Sequence, residues 1–411
     1  MLVYKIIRCP RFNYLKIKNW KGKLMKFDFD QQIDRFYTSS YKWDQSKNLF
    51  GTEDILPMWV ADMEFMSSPA VVDALINRAA HGIYGYTIMP DSYYMSIIDW
   101  LKRRHGWIVK KEWITHSPGV VTALSILVSC LTNPGDKVII QSPVYHPFYD
   151  VVIQQNRKLV TNNLILEDGR YTMDLKDLED KIDSSVKLML LCNPHNPVGR
   201  VWNKEELERL GSICAKHNII VIADEIHCDL IYEGNKHTPF ASISEEFKRN
   251  SITCISTSKT FNLAGLKTCN LIIQNPHLKE LYEKKLKMLS LHSESFFGIT
   301  AVEAAYNHGE EWLNQLLIYL EGNLNFLLDY FKQNINGVNV IKPEGTYLVW
   351  LDFRELRMNK ENIENWMYQK AKLALNEGSM FGENGEGFLR MNIACPRVTL
   401  EAGLSRIRKA L

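Results

Sequence analysis

The sequence predicts an α/β protein with a largely parallel sheet, followed by a smaller α+β unit. Short, continuous apolar runs alternate with amphipathic segments from about residue 70 onward, which is the pattern of parallel strands covered by helices on both faces. After about residue 295 the pattern changes to long helical segments and a few strands. At 411 residues the chain is long enough for two or three domains.

The first unit is predicted from its apolar runs and from two clear helix starts. A helix should begin at Pro69, because proline suits the first helical turn. Another should follow Asn203, which with Glu206 three residues later forms a capping box. The predicted strands are KVIIQ (137–141), VKLMLLC (186–192), NIIVIAD (218–224) and SITCIST (251–257).

The second unit is predicted to contain a hairpin in VNVIKPEGTYLVWLDF, a helix near 360–376, the strand GFLRMNIA and a closing helix from 399. These patterns divide the chain into four parts. We expect a basic appendage at 1–24, an arm at 25–69 that wraps onto the domains, a large ligand-binding domain at 70–298 and a small domain at 299–411.

Composition narrows the choice of partner and compartment. A net charge of +2 gives no basic field for nucleic acid, and no apolar run reaches the roughly 18 residues that a membrane span needs. The eight cysteines lack C-x-x-C spacing, so we expect reduced thiols and a cytoplasmic protein. Residues 1–24 hold seven Lys or Arg and no acid, without the apolar core of a secretory signal; an organelle-targeting peptide stays an alternative.

Polar motifs follow three of the predicted strands. Asp224 ends one strand, NPHNPVG (193–199) follows a second and STSKTFNLAGLK (256–267) follows a third. Ligands of open parallel sheets gather at such strand ends. Lys259 lies among small polar residues at the end of a buried strand, where desolvation favours the neutral, nucleophilic amine. A solvated loop lysine is the alternative for this motif alone.

Further motifs fit the same site. In SPGVVTAL (117–124) the residue Gly119 allows a turn, after which Val120 and Val121 offer amides at a helix start. These two amides form a predicted binding site for an anion, which we call the anion cup, and the hydroxyls of Ser256 and Ser258 add to it. Tyr145 in SPVYHPF offers an aromatic ring. A lysine, a carboxylate, an anion cup and an aromatic ring together predict pyridoxal 5′-phosphate as the cofactor.

Five ordered motifs resemble a known family. They are WVADMEF, PVYHPF, NPHNPVG, ADEIHCDL and SKTFNLAGL. The chain resembles the fold-type I pyridoxal-phosphate enzymes of the aspartate aminotransferase superfamily over residues 25–411, and within them the bacterial cystathionine β-lyase or C–S lyase subgroup of the MalY/PatB type. The resemblance implies a transferase-like fold, in which helices sandwich a mostly parallel seven-stranded sheet and a smaller α+β domain follows.

The resemblance also implies roles for individual residues. Lys259 would carry the cofactor and move the Cα proton, Asp224 would face the ring nitrogen, and Tyr145 would stack on the ring. Asn196 would donate to the ring hydroxyl near the substrate, and His227 stands where aminotransferases usually have tyrosine. These residues sit at the corresponding motif positions of this sequence.

Three further positions concern the substrate, the partner subunit and the phosphate. Arg390 would grip the substrate α-carboxylate; its strand position favours it over Arg397, which follows a proline. Tyr86 would reach the phosphate of the neighbouring subunit, which implies a homodimer with shared sites. Lys267 replaces the arginine that many family members use for phosphate, so it keeps the charge and loses the planar fork.

The remaining polar residues of ADEIHCD receive no cofactor role. Glu225 should make structural hydrogen bonds, while Cys228 and Asp229 have no assigned function, and no metal site is predicted. Glu64 stands where the subgroup usually has aspartate, a difference that the sequence does not explain.

The resemblance implies a C–S β-lyase that releases a thiol, pyruvate and ammonia from sulfur amino acids such as cystathionine or cysteine. An aminotransferase would use the same parts and is the first alternative. A regulatory or binding protein that keeps the fold is the second. The sequence does not indicate which thiol is the preferred leaving group.

Overall fold

The computed structural model describes residues 17–18 and 24–411, with side chains from Lys26 onward. Most of the predicted appendage at 1–24 therefore lies outside the described residues. The strands of the described part are, in chain order, β1 (Ile17–Lys18), β2 (Leu24–Met25), β3 (Leu56–Pro57), β4 (Ile114–Ser117), β5 (Lys137–Ser142), β6 (Lys158–Asn163), β7 (Ile165–Glu167), β8 (Arg170–Thr172), β9 (Val186–Cys192), β10 (Ile220–Asp224), β11 (Ser251–Ile255), β12 (Cys269–Ile272), β13 (Asn339–Ile341), β14 (Leu348–Asp352), β15 (Leu373–Ala374), β16 (Asn376–Glu377) and β17 (Phe388–Asn392).

The α-helices of the same residues include both predicted starts. Pro69 opens one helix, and the Asn203–Glu206 capping box closes in both directions at the start of another. The helices are α1 (Tyr41–Asp44), α2 (Ser46–Phe50), α3 (Pro69–Ala80), α4 (Asp91–His105), α5 (Val120–Leu131), α6 (Pro147–Ile153), α7 (Leu175–Asp180), α8 (Lys204–Lys216), α9 (Glu245–Arg249), α10 (Thr257–Thr260), α11 (Pro276–Met288), α12 (Phe296–His308), α13 (Glu310–Asn334), α14 (Lys360–Asn365) and α15 (Arg397–Ala410).

A seven-stranded sheet forms the centre of the large unit, in the order β4-β12-β11-β10-β9-β5-β6. Neighbouring strands from β11 to β6 run parallel, and β12 is antiparallel to both of its neighbours. The predicted fold class, a mostly parallel seven-stranded sheet, is confirmed.

The two faces of this sheet pack into different hydrophobic clusters. Leu190 and Ile222 contribute to one cluster with α5 and α6, whereas Leu191 and Val221 contribute to another with α8. Successive residues of a strand point to opposite faces, so a strand covered on both faces must be apolar throughout. This requirement explains the unbroken apolar runs.

The smaller sheet has the order β13-β14-β17-β16, with antiparallel pairing throughout. Strands β13 and β14 form the predicted hairpin. The predicted boundary at residue 298 falls inside α12, and the domain division itself stays a prediction.

The predicted helix near 360–376 is wrong in its second half. Helix α14 ends at Asn365, a π-helical turn covers residues 366–370, and two short strands follow. Lys372 has φ +50°, and the next backbone groups pair with β3 and β17 instead of continuing a helix. Sheet hydrogen bonds therefore override the helical sequence pattern here. The closing helix begins at Arg397, two residues before the predicted start.

The segment before the first long helix forms a two-stranded sheet with β15 and bonds to the end of β17 in the smaller sheet. Strand β3 pairs with β15, and the amide of Asn392 donates to the carbonyl of Met58 at 2.9 Å. This pairing places residues 59–64 against the end of β17. No helix of the described residues has the length and apolarity that a membrane span requires.

Candidate active site

The carboxyl ends of three parallel strands meet at one edge of the large sheet, as the sequence predicts. Asp224 is in register with Cys192 on one side and with Cys254 on the other. The backbone continues this pairing past the strand ends, because Asn193 donates to Asp224 and Glu225 donates to Cys254. The motifs that follow these strands therefore start from the same edge.

Lys259 lies on α10, the single helical turn that begins directly after β11. The hydroxyl of Ser256 caps this turn by accepting a hydrogen bond from the amide of Ser258 at 3.0 Å. The Lys259 amine donates to the carbonyl of Ala61 at 2.7 Å. Burial, with the nearby positive charge of Arg390, lowers the pKa of Lys259 to about 8. A substantial neutral fraction near pH 8 makes this amine a nucleophile and a base.

Asp224 is a buried carboxyl group with little hydrogen bonding. Among the described residues, its side chain accepts one hydrogen bond, from the backbone amide of Ile226 at 3.3 Å. Burial raises the pKa of Asp224 to about 7, although the positive charge of Lys259 opposes the rise. Such a carboxylate is stabilised by a cationic group placed beside it.

Arg390 is a buried cation with neutral partners. Its Nη1 donates to Asn196 Oδ1 at 2.9 Å, and its Nη2 donates to Asn376 Oδ1 at 2.6 Å and to the carbonyl of Trp59 at 3.0 Å. Its Nε is buried without a hydrogen-bond partner. Burial lowers the pKa of Arg390 to about 10. Because none of its hydrogen bonds is to a carboxylate, the charge is available to an anionic ligand.

Arg397, the competing arginine, has a different environment. It opens α15, donates from Nε to Asn323 Oδ1 at 2.9 Å and lies over the ring of Phe326 at 4.5 Å. No contact with Lys259, Asp224 or Asn196 is found for it among the described residues. The structure thus brings Arg390 to the site and packs the Arg397 side chain against α13.

Tyr145 and His227 lie close to the charged groups. The Tyr145 hydroxyl interacts electrostatically with Arg390 and Asp224, and burial raises its pKa. Burial, together with the charges of Lys259 and Arg390, holds the pKa of His227 well below its usual range. The Nδ1 of this neutral imidazole is buried without a partner, so it can hydrogen-bond a polar ligand.

The predicted anion cup is partly assembled. Gly119 has φ +100° and is the N-cap of α5, so the amides of Val120 and Val121 begin a twelve-residue helix. Ser256 donates its hydroxyl proton to the carbonyl of Thr268 at 2.6 Å, which makes it a less available donor than the sequence suggests.

Lys267 and Tyr86 are exposed. Lys267 adopts a left-handed conformation, with φ +52°, just before Thr268. Strand pairing of Cys269 with Ser117 brings this turn beside Gly119. The Tyr86 side chain is fully exposed in this single subunit, so the structure does not bring it to the site of its own chain.

Glu225 and Asp229, the other two acidic residues of ADEIHCD, are hydrogen-bonded to neighbouring residues of the fold. Glu225 accepts from His237 at 3.0 Å and from the amide of Phe240 at 2.8 Å, which confirms its predicted structural hydrogen bonds. Asp229 accepts from Trp100, His105 and Thr260. The imidazole nitrogen of His105, the Sγ of Cys228 and a carboxylate oxygen of Asp229, which are atoms of the kind that bind metals, lie within 4.8 Å of one another. Asp229 is thus a buried hydrogen-bonding centre.

Glu64 belongs to a buried ion cluster in the N-terminal arm. It pairs with Lys42 at 2.6 Å and with Arg35 at 3.1 Å, and it accepts from the indole of Trp43. Asp62 pairs with the same two cations. Nothing in the structure explains why glutamate stands here in place of aspartate.

Sequence reasoning missed four groups at this site. The carbonyls of Trp59 and Ala61 contact Arg390 and Lys259, Asn376 bonds Arg390, and the Tyr347 hydroxyl donates to the Ala61 carbonyl at 2.9 Å. Backbone carbonyls leave no residue-specific signal. Trp59 and Ala61 lie in the motif WVADMEF, but no local pattern marks their carbonyls as contacts, and Tyr347 lies outside the five motifs.

Comparison with known proteins agrees with this geometry. Cystathionine beta-lyase PatB of Bacillus subtilis is 44% identical, and the match covers 93% of this chain and 100% of PatB. Cystalysin of Treponema denticola, whose structure contains a pyridoxal 5′-phosphate cofactor, superposes with a TM-score of 0.91 at 38% identity, over 94% of this chain and 99% of cystalysin.

A PLP-bound C–S lyase from Staphylococcus hominis superposes with a TM-score of 0.88 at 34% identity, over 94% of this chain and 98% of that enzyme. Residues 53–407 match the family described as aminotransferase class I and II. The chain therefore belongs to the aminotransferase class I and II family.

Proposed function

We propose that this chain is a pyridoxal-phosphate-dependent C–S β-lyase, which cleaves the Cβ–S bond of sulfur amino acids to a thiol, pyruvate and ammonia. The buried Arg390 guanidinium carries the part of the proposal that concerns an α-amino-acid substrate, because it can bind the α-carboxylate. It lies beside Asn196 and near Lys259, and it keeps a free Nε. The names of PatB and of the S. hominis enzyme support the reaction class.

The side chains at the site fit pyridoxal phosphate. A lysine with a lowered pKa suits reaction with an aldehyde, and the poorly bonded carboxylate of Asp224 suits a protonated ring nitrogen. The orphaned Nδ1 of His227 suits a polar ring substituent. The helix start after Gly119 suits a phosphate, because its amides and the helix dipole favour an anion. Each part of the cofactor thus has a chemically matched group.

Pyridoxal phosphate supplies an aldehyde that binds the substrate amine and a ring that accepts the electron pair from Cα. Asp224 would hold the protonated form of the ring nitrogen, because a buried and poorly hydrogen-bonded carboxylate favours a cationic partner. The free amine of Lys259 would act as the base that takes the Cα proton from the substrate. Its lowered pKa keeps a neutral fraction available for this transfer.

Arg390 binds the substrate α-carboxylate and fixes the orientation of the Cα–H bond. Its guanidinium is held by Asn196, Asn376 and the Trp59 carbonyl, so the fork cannot rotate freely. Loss of the Cα proton to Lys259 is followed by departure of sulfur from Cβ as a thiolate. The remaining three-carbon unit takes up water and gives pyruvate and ammonia.

The active unit is a homodimer in this proposal, with Tyr86 contributing to the partner's phosphate site. Ile83, Tyr84, Tyr86 and Ile88 are exposed within six residues, and an exposed apolar patch of this kind is typical of an interface. Seven cysteines of the described chain are free thiols, which supports the proposed cytoplasmic location.

Light scattering should find a dimer, and subunit mixing should reveal shared sites. Tyr86→Ala and Lys259→Ala should each be inactive alone, whereas a random mixture should recover roughly a quarter of wild-type activity through hybrid dimers. Recovery would come from sites that pair an intact Lys259 with an intact Tyr86. A fully active monomer, or mixing without recovery, would contradict the shared site.

The enzyme assay must separate a lyase from an aminotransferase. Cystathionine, cysteine and an S-alkyl cysteine are supplied to the enzyme, and pyruvate is followed with lactate dehydrogenase beside a transamination assay. We expect pyruvate to appear without any keto-acid acceptor. Faster transfer of the amino group to a keto acid than formation of pyruvate would replace the lyase by an aminotransferase.

A further inference from the structure

Two donors share the carbonyl oxygen of Ala61. The Lys259 amine donates to it at 2.7 Å, and the Tyr347 hydroxyl donates at 2.9 Å. A carbonyl oxygen has two lone pairs, so both are used. Tyr347 has no part in the proposed chemistry, yet its hydroxyl and the catalytic amine lie against the same atom.

The shared carbonyl is held firmly. Asn392 donates from one amide group to the carbonyls of Val60 and Asp62, which flank Ala61, at 2.6 Å each. Arg390 donates to the carbonyl of Trp59, one residue further back. The segment therefore cannot turn the Ala61 oxygen towards another donor without breaking these bonds.

The Tyr347 side chain is buried next to this oxygen. It is 1% exposed and packs beside His227, with ring centroids 5.9 Å apart. Burial raises the pKa of Tyr347, so the phenol remains a neutral donor. Removing the hydroxyl would leave a space closed to bulk water.

Covalent attachment of the cofactor changes the donors on Ala61. If the Lys259 amine condensed with the cofactor aldehyde and released one water molecule, its nitrogen would no longer be free to donate to Ala61. The Ala61 oxygen would then keep only the Tyr347 hydroxyl as a donor. Without that hydroxyl it would be a buried acceptor with no partner, which costs free energy.

We propose that Tyr347 is a positioning residue, which satisfies the Ala61 carbonyl while Lys259 is covalently engaged and so favours the loaded state. The inference rests on the proposed function, because it requires Lys259 to bind the cofactor. It predicts an energetic coupling between Tyr347 and Lys259 in cofactor affinity.

A double-mutant cycle measures this coupling. The dissociation constant of pyridoxal phosphate is determined by quenching of protein fluorescence for the wild type, Tyr347→Phe, Lys259→Ala and the double variant. With Lys259 present, Tyr347→Phe should weaken binding roughly 5- to 150-fold. In the Lys259→Ala background the same substitution should change affinity less than about threefold, because the donors on Ala61 no longer change on binding.

Tyr232→Phe is the matched control. Tyr232 is also buried, and its hydroxyl has no hydrogen-bond partner among the described residues, so this variant should bind like the wild type. Equal weakening by Tyr347→Phe in both backgrounds, or none in either, would overturn the inference. If Lys259→Ala binds pyridoxal phosphate exactly as the wild type does, the proposed function fails instead.

Discussion

Replacing Arg390 by lysine keeps the positive charge but removes the planar guanidinium group, whose N–H donors point in fixed directions. The guanidinium already uses Nη1 and Nη2 on Asn196, Asn376 and the Trp59 carbonyl, while Nε remains free. A lysine amine has three donors on one atom. Those donors must serve the same three acceptors, which leaves none for the substrate carboxylate.

The expected loss of activity follows from the missing hydrogen bond to the substrate carboxylate. A hydrogen bond to a charged group contributes about 1.5–3 kcal/mol, so kcat/KM for a sulfur amino acid should fall roughly 10- to 150-fold. The assay is lactate-dehydrogenase-coupled formation of pyruvate from an S-alkyl cysteine. An amine that lacks the carboxylate should displace Lys259 equally well from both proteins, because it makes no contact with position 390.

Arg397→Lys is the control, since Arg397 contacts Asn323 and Phe326 away from the site. It should keep kcat/KM within about threefold of the wild type. The assignment of Arg390 is refuted if Arg390→Lys keeps wild-type kcat/KM. It is equally refuted if Arg397→Lys loses as much activity.

Three further predictions concern the cofactor groups. After borohydride reduction, mass spectrometry should find the cofactor on the peptide that contains Lys259, and the Lys259→Ala protein should carry no adduct; an adduct on another lysine would reject the assignment. Asp224→Asn should still bind the cofactor but lose activity by about a thousandfold, because the buried negative charge is removed; near-normal turnover would exclude its role. Since the pKa of Lys259 is about 8, the rate at which cofactor-free enzyme binds pyridoxal phosphate should rise about tenfold per pH unit below 8 and level off above it. A rate that keeps rising to pH 10 would indicate an ordinary lysine.

The sequence predicted the parts of the fold that depend on local pattern. The unbroken apolar runs identified β9 and β10 because both faces of these strands are buried. The segment after Asn365 was mispredicted because its backbone pairs with β3 and β17, which are distant in sequence. Such long-range pairing has no local signal.

The same distinction applies to the site. Lys259 and Asp224 follow strand ends and could be found from sequence, and the register of β10 with its neighbours explains why they converge. The shared carbonyl of Ala61 could not be found, because any residue carries that oxygen. Tyr347 gains its role from this contact alone, so only the folded chain reveals it.

The most direct test of the lyase proposal is the stoichiometry of one reaction without a keto acid. Purified enzyme is incubated with excess S-alkyl cysteine, and thiol and pyruvate are quantified over time. We expect equal amounts of thiol and pyruvate, accumulating through many turnovers per subunit. A reaction that stops after one turnover per subunit and resumes only when a keto acid is added would contradict it, because that is the behaviour of an aminotransferase.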